Sequence, residues 1–278
     1  MTGPSSVPSP SASRLLTAGR VVWYSAANAL ADFRATYSWY SWTFGWLTRL
    51  LSQVAFFAVI GVALDSARTT RYLFVGNALM LCVIEATTVI VSSAWERTQG
   101  TLTLLAASPA STTWVLFGRG LQWPVSGVAT SLVALLGLGP PFGVHWRATD
   151  LPPLVAAVCL TAAASYAFGL FLAAFALNMP SARNLLYNGT YLVMMCVCGV
   201  QVPRGYWPPW IRAVAAVLPP SYGVDAVRAV AARHSAGAVV QPLVLLAATG
   251  AGWLLIAFVA VRAVMGWARR RNTLDFSS

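Results

Sequence analysis

Six stretches of this chain are each long and apolar enough to cross a lipid bilayer, and no other feature constrains its fold as much. A helix needs about 20 mostly apolar residues to span the ~30 Å hydrocarbon layer. The stretches lie at about 47–64, 72–94, 113–138, 153–177, 185–202 and 239–261. Polar or Gly/Pro-rich breakers separate them at 65–71, 96–111, 139–150 and 178–184. Only 9% of the residues are charged, against about a quarter in a soluble domain. Lipid offers peptide groups no hydrogen bonds, so each span must satisfy its own backbone as a helix. The expected fold is an all-α polytopic membrane protein with six transmembrane helices in one transmembrane domain, residues 14–278. Residues 1–13 are Pro/Ser-rich without an apolar core. They do not read as a signal peptide, and a disordered cytoplasmic tail is expected there.

Residues 14–40 follow a different pattern. Leu15, Val22, Trp23, Ala26, Ala27, Leu30 and Phe33 recur at helical spacing, with Arg20, Asn28, Asp32 and Arg34 on other faces. That pattern predicts a helix lying in the membrane interface. Trp39, Trp42 and Trp46 then form an aromatic belt before the first span. Arg49, one turn inside that span, can snorkel back to the interface.

The formal net charge is +11, and all 18 basic residues are arginine. In a soluble chain this charge points to nucleic acid; in a membrane protein it points to loops facing the cytoplasm and anionic lipid, and no nucleic-acid partner is expected. Six spans place both ends of the chain on one side. Arg14, Arg20, Arg34, Arg49, Arg97, Arg119, Arg183, Arg262, Arg269, Arg270 and Arg271 fall on that side, and the other seven arginines fall opposite. The excess predicts cytoplasmic termini.

The loop at 202–239 carries Pro203, Pro208, Pro209, Pro219 and Pro220 between short apolar runs. Amphipathic helices are expected at 207–218 and 222–234, broken by the prolines. Two short helices of this kind on the outer side read as a re-entrant or interface-lying hairpin.

The inventory for catalysis is thin. His145 and His234 belong to no metal-binding motif, the seven acids include no pair at helical spacing, and no G-x-S-x-G is present. Cys82, Cys159, Cys196 and Cys198 lie in apolar runs and read as packing residues. No metal or cofactor is expected on this chain, and it does not read as an enzyme. Glu85 is the one acid well inside a span. A carboxylate there costs a few kcal/mol unless it is paired, protonated or wetted, so it marks a candidate translocation path. The alternative is a packing hydrogen bond to Asn77, Ser92 or a group on another span, and Asn77 joins Glu85 as a candidate path residue.

The segment 95–111, WERTQGTLTLLAASPAS, opens with the Glu96/Arg97 pair and turns at Gly100. It continues as a short apolar helix at 101–107, including Thr101, Leu102, Leu104 and Leu105, and ends at Pro109. Such a helix, parallel to the membrane, presents an apolar side to a partner groove.

The string Glu96-Arg97-x-x-Gly100-Thr101-Leu102, followed by Ser108-Pro109 and Gly118-Arg119, resembles the signature of the ABC type-2 transporter permeases. These include bacterial drug, polysaccharide and lipid exporters. Further similar features are Asn178 after span four, Gly199 and Pro203 ending span five, the turn Pro208–Trp210 and Leu218-Pro219 with Ser221, Tyr222 and Arg228. The resemblance covers nearly the whole chain, although Glu85 and the run Gly139-Pro140-Pro141 match no family motif. It implies a permease subunit of the bacterial inner membrane, exporting an amphiphilic drug, lipid or other hydrophobic metabolite. It implies two ATP-binding subunits and a second permease, identical or similar, as partners. The cytoplasmic helix from Glu96 to Pro109 would be the coupling helix that docks on an ATP-binding subunit. The outer hairpin, with Pro203, Trp207, Pro208, Trp210, Pro219, Tyr222 and Arg228, would cap the exit path. A lysine-free chain has no Walker A lysine, so ATP-Mg would sit on the partner. Two rival readings stand beside it: a proton-coupled secondary transporter or channel using Glu85, and a membrane-embedded lipid-modifying enzyme using His145, Arg147 and Asp150.

Overall fold

The computed structural model describes residues 10–36, 38–98, 112–177 and 179–270, and they are helical almost throughout, with no strand among them. The all-α class read from the apolar spans holds. In order the helices are α1 (Pro10–Thr36), α2 (Thr48–Ala63, after a wide turn of π type at Ser41–Leu47), α3 (Ala67–Thr87) and α4 (Val89–Thr98). Then come α5 (Thr112–Arg119), α6 (Gln122–Gly137), α7 (Leu151–Ala176), α8 (Arg183–Val197), α9 (Pro209–Val217), α10 (Pro219–Ala231) and α11 (Ala236–Arg270). α1 begins inside the stretch 1–13 expected to be a tail; residues 1–9 lie outside the described residues.

Among the described residues, five helical segments are long and apolar enough to cross a membrane: Ser41–Ala63, Ala67–Ser93, Thr113–Gly137, Ala148–Ala176 and Ala236–Val264. The sixth expected span, 185–202, contains α8, which has 15 residues. At 1.5 Å per residue this is about 22 Å, short of the hydrocarbon thickness. The chain leaves the helix because Gly199 takes φ +83°, a left-handed conformation that glycine adopts at little cost.

Span Ala67–Ser93 is the buried centre, with 89% of its apolar window inside the protein against 17% for the last span. α3 packs against α2, α6, α7 and α10, while α7 makes the most extensive helix pair with α11. Small residues permit these approaches. A Cβ on Gly127 of α6 would lie 2.9 Å from the Cys82 carbonyl oxygen of α3, and one on Gly223 of α10 would collide with Thr161 of α7. Span three is not one unbroken helix. The Tyr166 hydroxyl donates to the Phe117 carbonyl at 2.7 Å, filling the place where a side chain on Gly120 would go, and the chain turns there before α6 starts.

The prolines of the 202–239 loop act differently from simple breaks. Pro209 occupies the first turn of α9, and Pro219 and Pro220 that of α10. A missing N–H costs nothing at those positions, so they start the helices.

Candidate functional site

Two polar centres lie along α3, one near each end. The first is built around Arg228 of α10. Its Nη1 donates to the Gly199 carbonyl at 2.8 Å, and its Nη2 to those of Tyr72 at 3.0 Å and Val200 at 3.3 Å. The guanidinium carbon sits 3.4 Å from the centroid of the Tyr72 ring, and the Tyr72 hydroxyl donates to the same Gly199 oxygen at 2.6 Å. Burial pulls the Arg228 guanidinium below its ordinary value, opposed by Tyr72. A Cβ on Gly76 of α3 would lie 2.9 Å from Arg228 Nη2, so the approach needs glycine. Hydrogen bonds to a charged group contribute about 1.5–3 kcal/mol each, and a desolvated cation–π contact about 2 kcal/mol. This cluster therefore binds the hairpin firmly to α3 and to the end of α8.

Neighbouring contacts extend the lock. Gln201 Nε2 donates to Asn77 Oδ1 at 3.0 Å, and the Asn77 amide donates to the Leu73 carbonyl at 2.7 Å. Arg204 pairs with Asp225; burial raises the Asp225 carboxyl, and Arg204 works against that rise. Pro203 precedes the turn that carries Arg204. The Trp207 indole donates to the Cys196 carbonyl at 3.2 Å. Pro208 is the N-cap of α9, whose Trp210 points outward at 69% exposure. Ser221 and Tyr222 donate back to the carbonyls of Ala215 and Ala216, folding α10 against α9 just after Pro219. Asn77 thus belongs to this centre. It lies eight residues from Glu85, about 12 Å along the helix, so the two candidate path residues do not meet.

The second centre is Glu85. Its side chain is fully buried, and neither carboxyl oxygen has a hydrogen-bond partner among the described residues. Ser126 and Thr130 of α6, Trp46 of the wide turn and Arg49 of α2 face it. The Ser126 hydroxyl is likewise buried without a partner among the described residues. Arg49 lies over the Trp46 ring at 4.8 Å. Around this group, Tyr187 donates to the Ile84 carbonyl at 3.3 Å and Gln53 bonds to the Tyr191 hydroxyl. Ser92, an expected partner of Glu85, instead accepts from the Trp123 indole at 3.1 Å. The arrangement leaves a carboxyl group facing hydroxyls within the membrane, where a proton, water or cation would complete it.

Of the segment expected to couple to an ATP-binding partner, Glu96 and Arg97 fall in α4. Gly100, Thr101, Leu102, Leu104, Leu105 and Pro109 lie outside the described residues, as does Asn178. The flank that follows is well anchored. Arg119 pairs with Asp32 of α1 at 3.2 Å, and Gly118 lets α5 touch α1, since a Cβ there would lie 2.6 Å from the Val22 carbonyl.

The His145, Arg147 and Asp150 group is a loop staple. Asp150 accepts from the Arg147 backbone N–H at 2.9 Å and faces Arg233 at 3.8 Å, while Arg233 donates to the His145 carbonyl at 3.1 Å. Arg233, Tyr72, Gln201 and the Arg204–Asp225 pair were not singled out in the sequence. Asp225 and Arg228 stand three apart on one helix face, the one local signal of that cluster.

A search of curated proteins finds no match. Residues 28–231 match the family described as ABC-2 type transporter. That interval runs from α1 through the end of α10 and takes in both polar centres. The chain belongs to the ABC-2 type transporter family and is the transmembrane permease subunit of an ABC transporter.

Proposed function

We propose that this permease works in an exporter that moves an amphiphilic drug, lipid or other hydrophobic metabolite outward across the bacterial cytoplasmic membrane. The family match over 28–231 carries the reading. Two ATP-binding subunits hold ATP-Mg and act on a pair of permeases, this chain with a copy or a similar chain. Segment 96–109 is the coupling helix: closure of the ATP-binding subunits pushes it, and the spans reorient. Both termini face the cytoplasm, in accord with the arginine distribution; α8, though short, runs beside α3 from Ile84, which Tyr187 bonds, to Tyr72, which bonds Gly199, and so completes the sixth crossing. The hairpin at 203–233, tied to α3 by Arg228, caps the opposite end of the path. Glu85 lines the path between these ends.

The test is purification of the tagged chain from its native membranes. Vanadate-sensitive ATPase activity should co-purify and should be lost on Leu104→Asp. Transport that collapses with the proton gradient and ignores vanadate would overturn the proposed exporter.

A further inference from the structure

Two of the membrane-crossing segments are interrupted in the same way. In Ala67–Ser93 the helical ladder changes between α3 and α4. There the Thr88 N–H bonds the Glu85 carbonyl and the Val91 N–H that of Thr88, each three residues back. In Thr113–Gly137 it changes between α5 and α6. The Leu121 and Trp123 N–H groups bond the carbonyls of Gly118 and Gly120, again three residues back. Such tightened turns inside a helix are a mark of hinges. Side chains cause both. The Thr87 and Thr88 hydroxyls each donate back to the Ile84 carbonyl at 3.1 Å, which bends a helix. Pro124 has no N–H to offer Gly120, four residues back.

At each break a tyrosine from another helix bonds the carbonyl that has lost its helical donor. Tyr187 of α8 serves Ile84 at 3.3 Å, and Tyr166 of α7 serves Phe117 at 2.7 Å. The two breaks also meet. Val89, the first residue of α4, is buried between them, its methyl carbons 2.8 Å from where a Cβ of Gly120 and one of Gly169 would lie. The Trp123 indole bond to Ser92 crosses from α6 to α4 one turn away. α4 and α5 are the helices that segment 99–111 joins. α5 is fastened in turn to α1, through Gly118 and the Arg119–Asp32 pair.

We propose that the two breaks form one hinge line, on which α4 and α5, with α1, turn against α3 and α6. Tyr166 and Tyr187 are its positioning residues. A hydroxyl on a carbonyl outside the ladder can let go without unwinding either helix, so the joint moves while the helices stay rigid. What drives the hinge rests on the coupling role proposed for segment 96–109; the hinge itself does not.

Spin-label distances in the full chain in lipid nanodiscs test the proposal, with the exposed Cys159 and Cys196 replaced by serine. One labelled pair, Trp23→Cys with Val133→Cys, joins α1 to the far half of α6 and spans the hinge. The other, Val62→Cys with Val133→Cys, joins the far ends of α2 and α6 and does not. All three positions are exposed. Tyr166→Phe removes only a hydroxyl, and Pro124 still bars a straight helix. The uncapped joint should therefore widen the first distance distribution about twofold and leave the second unchanged. Tyr187→Phe leaves Ile84 its two threonines, so it should act in the same direction but less, and it supplies the reading should Tyr166→Phe fail to fold. The proposal is overturned if the first distribution keeps its width. It is equally overturned if both pairs broaden alike, as loss of a merely structural bond would make them. The chain is measured alone, so a preparation without ATPase activity would fault the exporter and not the hinge.

Discussion

Arg228 and Glu85 are both ionisable side chains drawn into the interior along α3, and their surroundings answer them in opposite ways. Three backbone carbonyls and an aromatic face converge on Arg228. Glu85 is more deeply buried, yet both of its oxygens lack a hydrogen bond among the described residues. A charge held by several fixed dipoles fastens parts together. A carboxyl group with none is held at a cost and marks a place where something else binds or a proton resides. The Arg228 end of α3 is thus built for rigidity, and the Glu85 end for exchange.

The largest effect should come from the answered charge. Arg228→Ala leaves the Tyr72 and Val200 carbonyls without their donor and frees the hairpin from α3. We expect a loss of about 3 kcal/mol, read as a lower melting temperature in lipid nanodiscs, with the Gly199–Arg233 region becoming exchange-labile. Arg228→Lys should recover less than half of this loss, because an ammonium lacks the planar fork that reaches several acceptors. Next comes Gly223→Val, whose first added carbon collides with Thr161. Overpacking there should cost about 1–3 kcal/mol and loosen the same hairpin without touching a charge, separating shape from electrostatics.

Glu85→Gln should act with the opposite sign. An amide has no charge to desolvate and can donate to Ser126 or Thr130, so the melting temperature should stay level or rise, by up to about 1 kcal/mol of stability. A fall of that size would break the contrast, since it would mean that Glu85 already has a partner. The smallest effect belongs to the exposed pair Asp32–Arg119. Asp32→Asn should cost less than about 1 kcal/mol, and the loss should shrink further in high salt.

Apolar run length made the helical membrane class legible because spanning lipid demands it of any sequence. Run length also overstated the fifth segment, for hydropathy continues through Cys198 and Val200 while the backbone turns away at Gly199. Proline content marked the hairpin but not its construction, since a proline that breaks one helix and a proline that starts the next read alike. Glu85 could be singled out by composition alone, as an acid amid apolar neighbours. The partners of Arg228 could not be. Tyr72 lies 156 residues away in sequence, and no local period links residues that meet only after the chain has folded back. The hydroxyls facing Glu85 occupy one side of α6 at i and i+4, a signal hidden by the high hydropathy around them.

The groups that Arg228 grips are peptide oxygens, which every amino acid carries. Substitutions at Val200 can therefore accumulate without removing an acceptor from the lock, whereas Arg228, Gly199 and Gly76 tolerate little change. The joint therefore rests on a few side chains, while the residues that supply only their peptide oxygens are free to change.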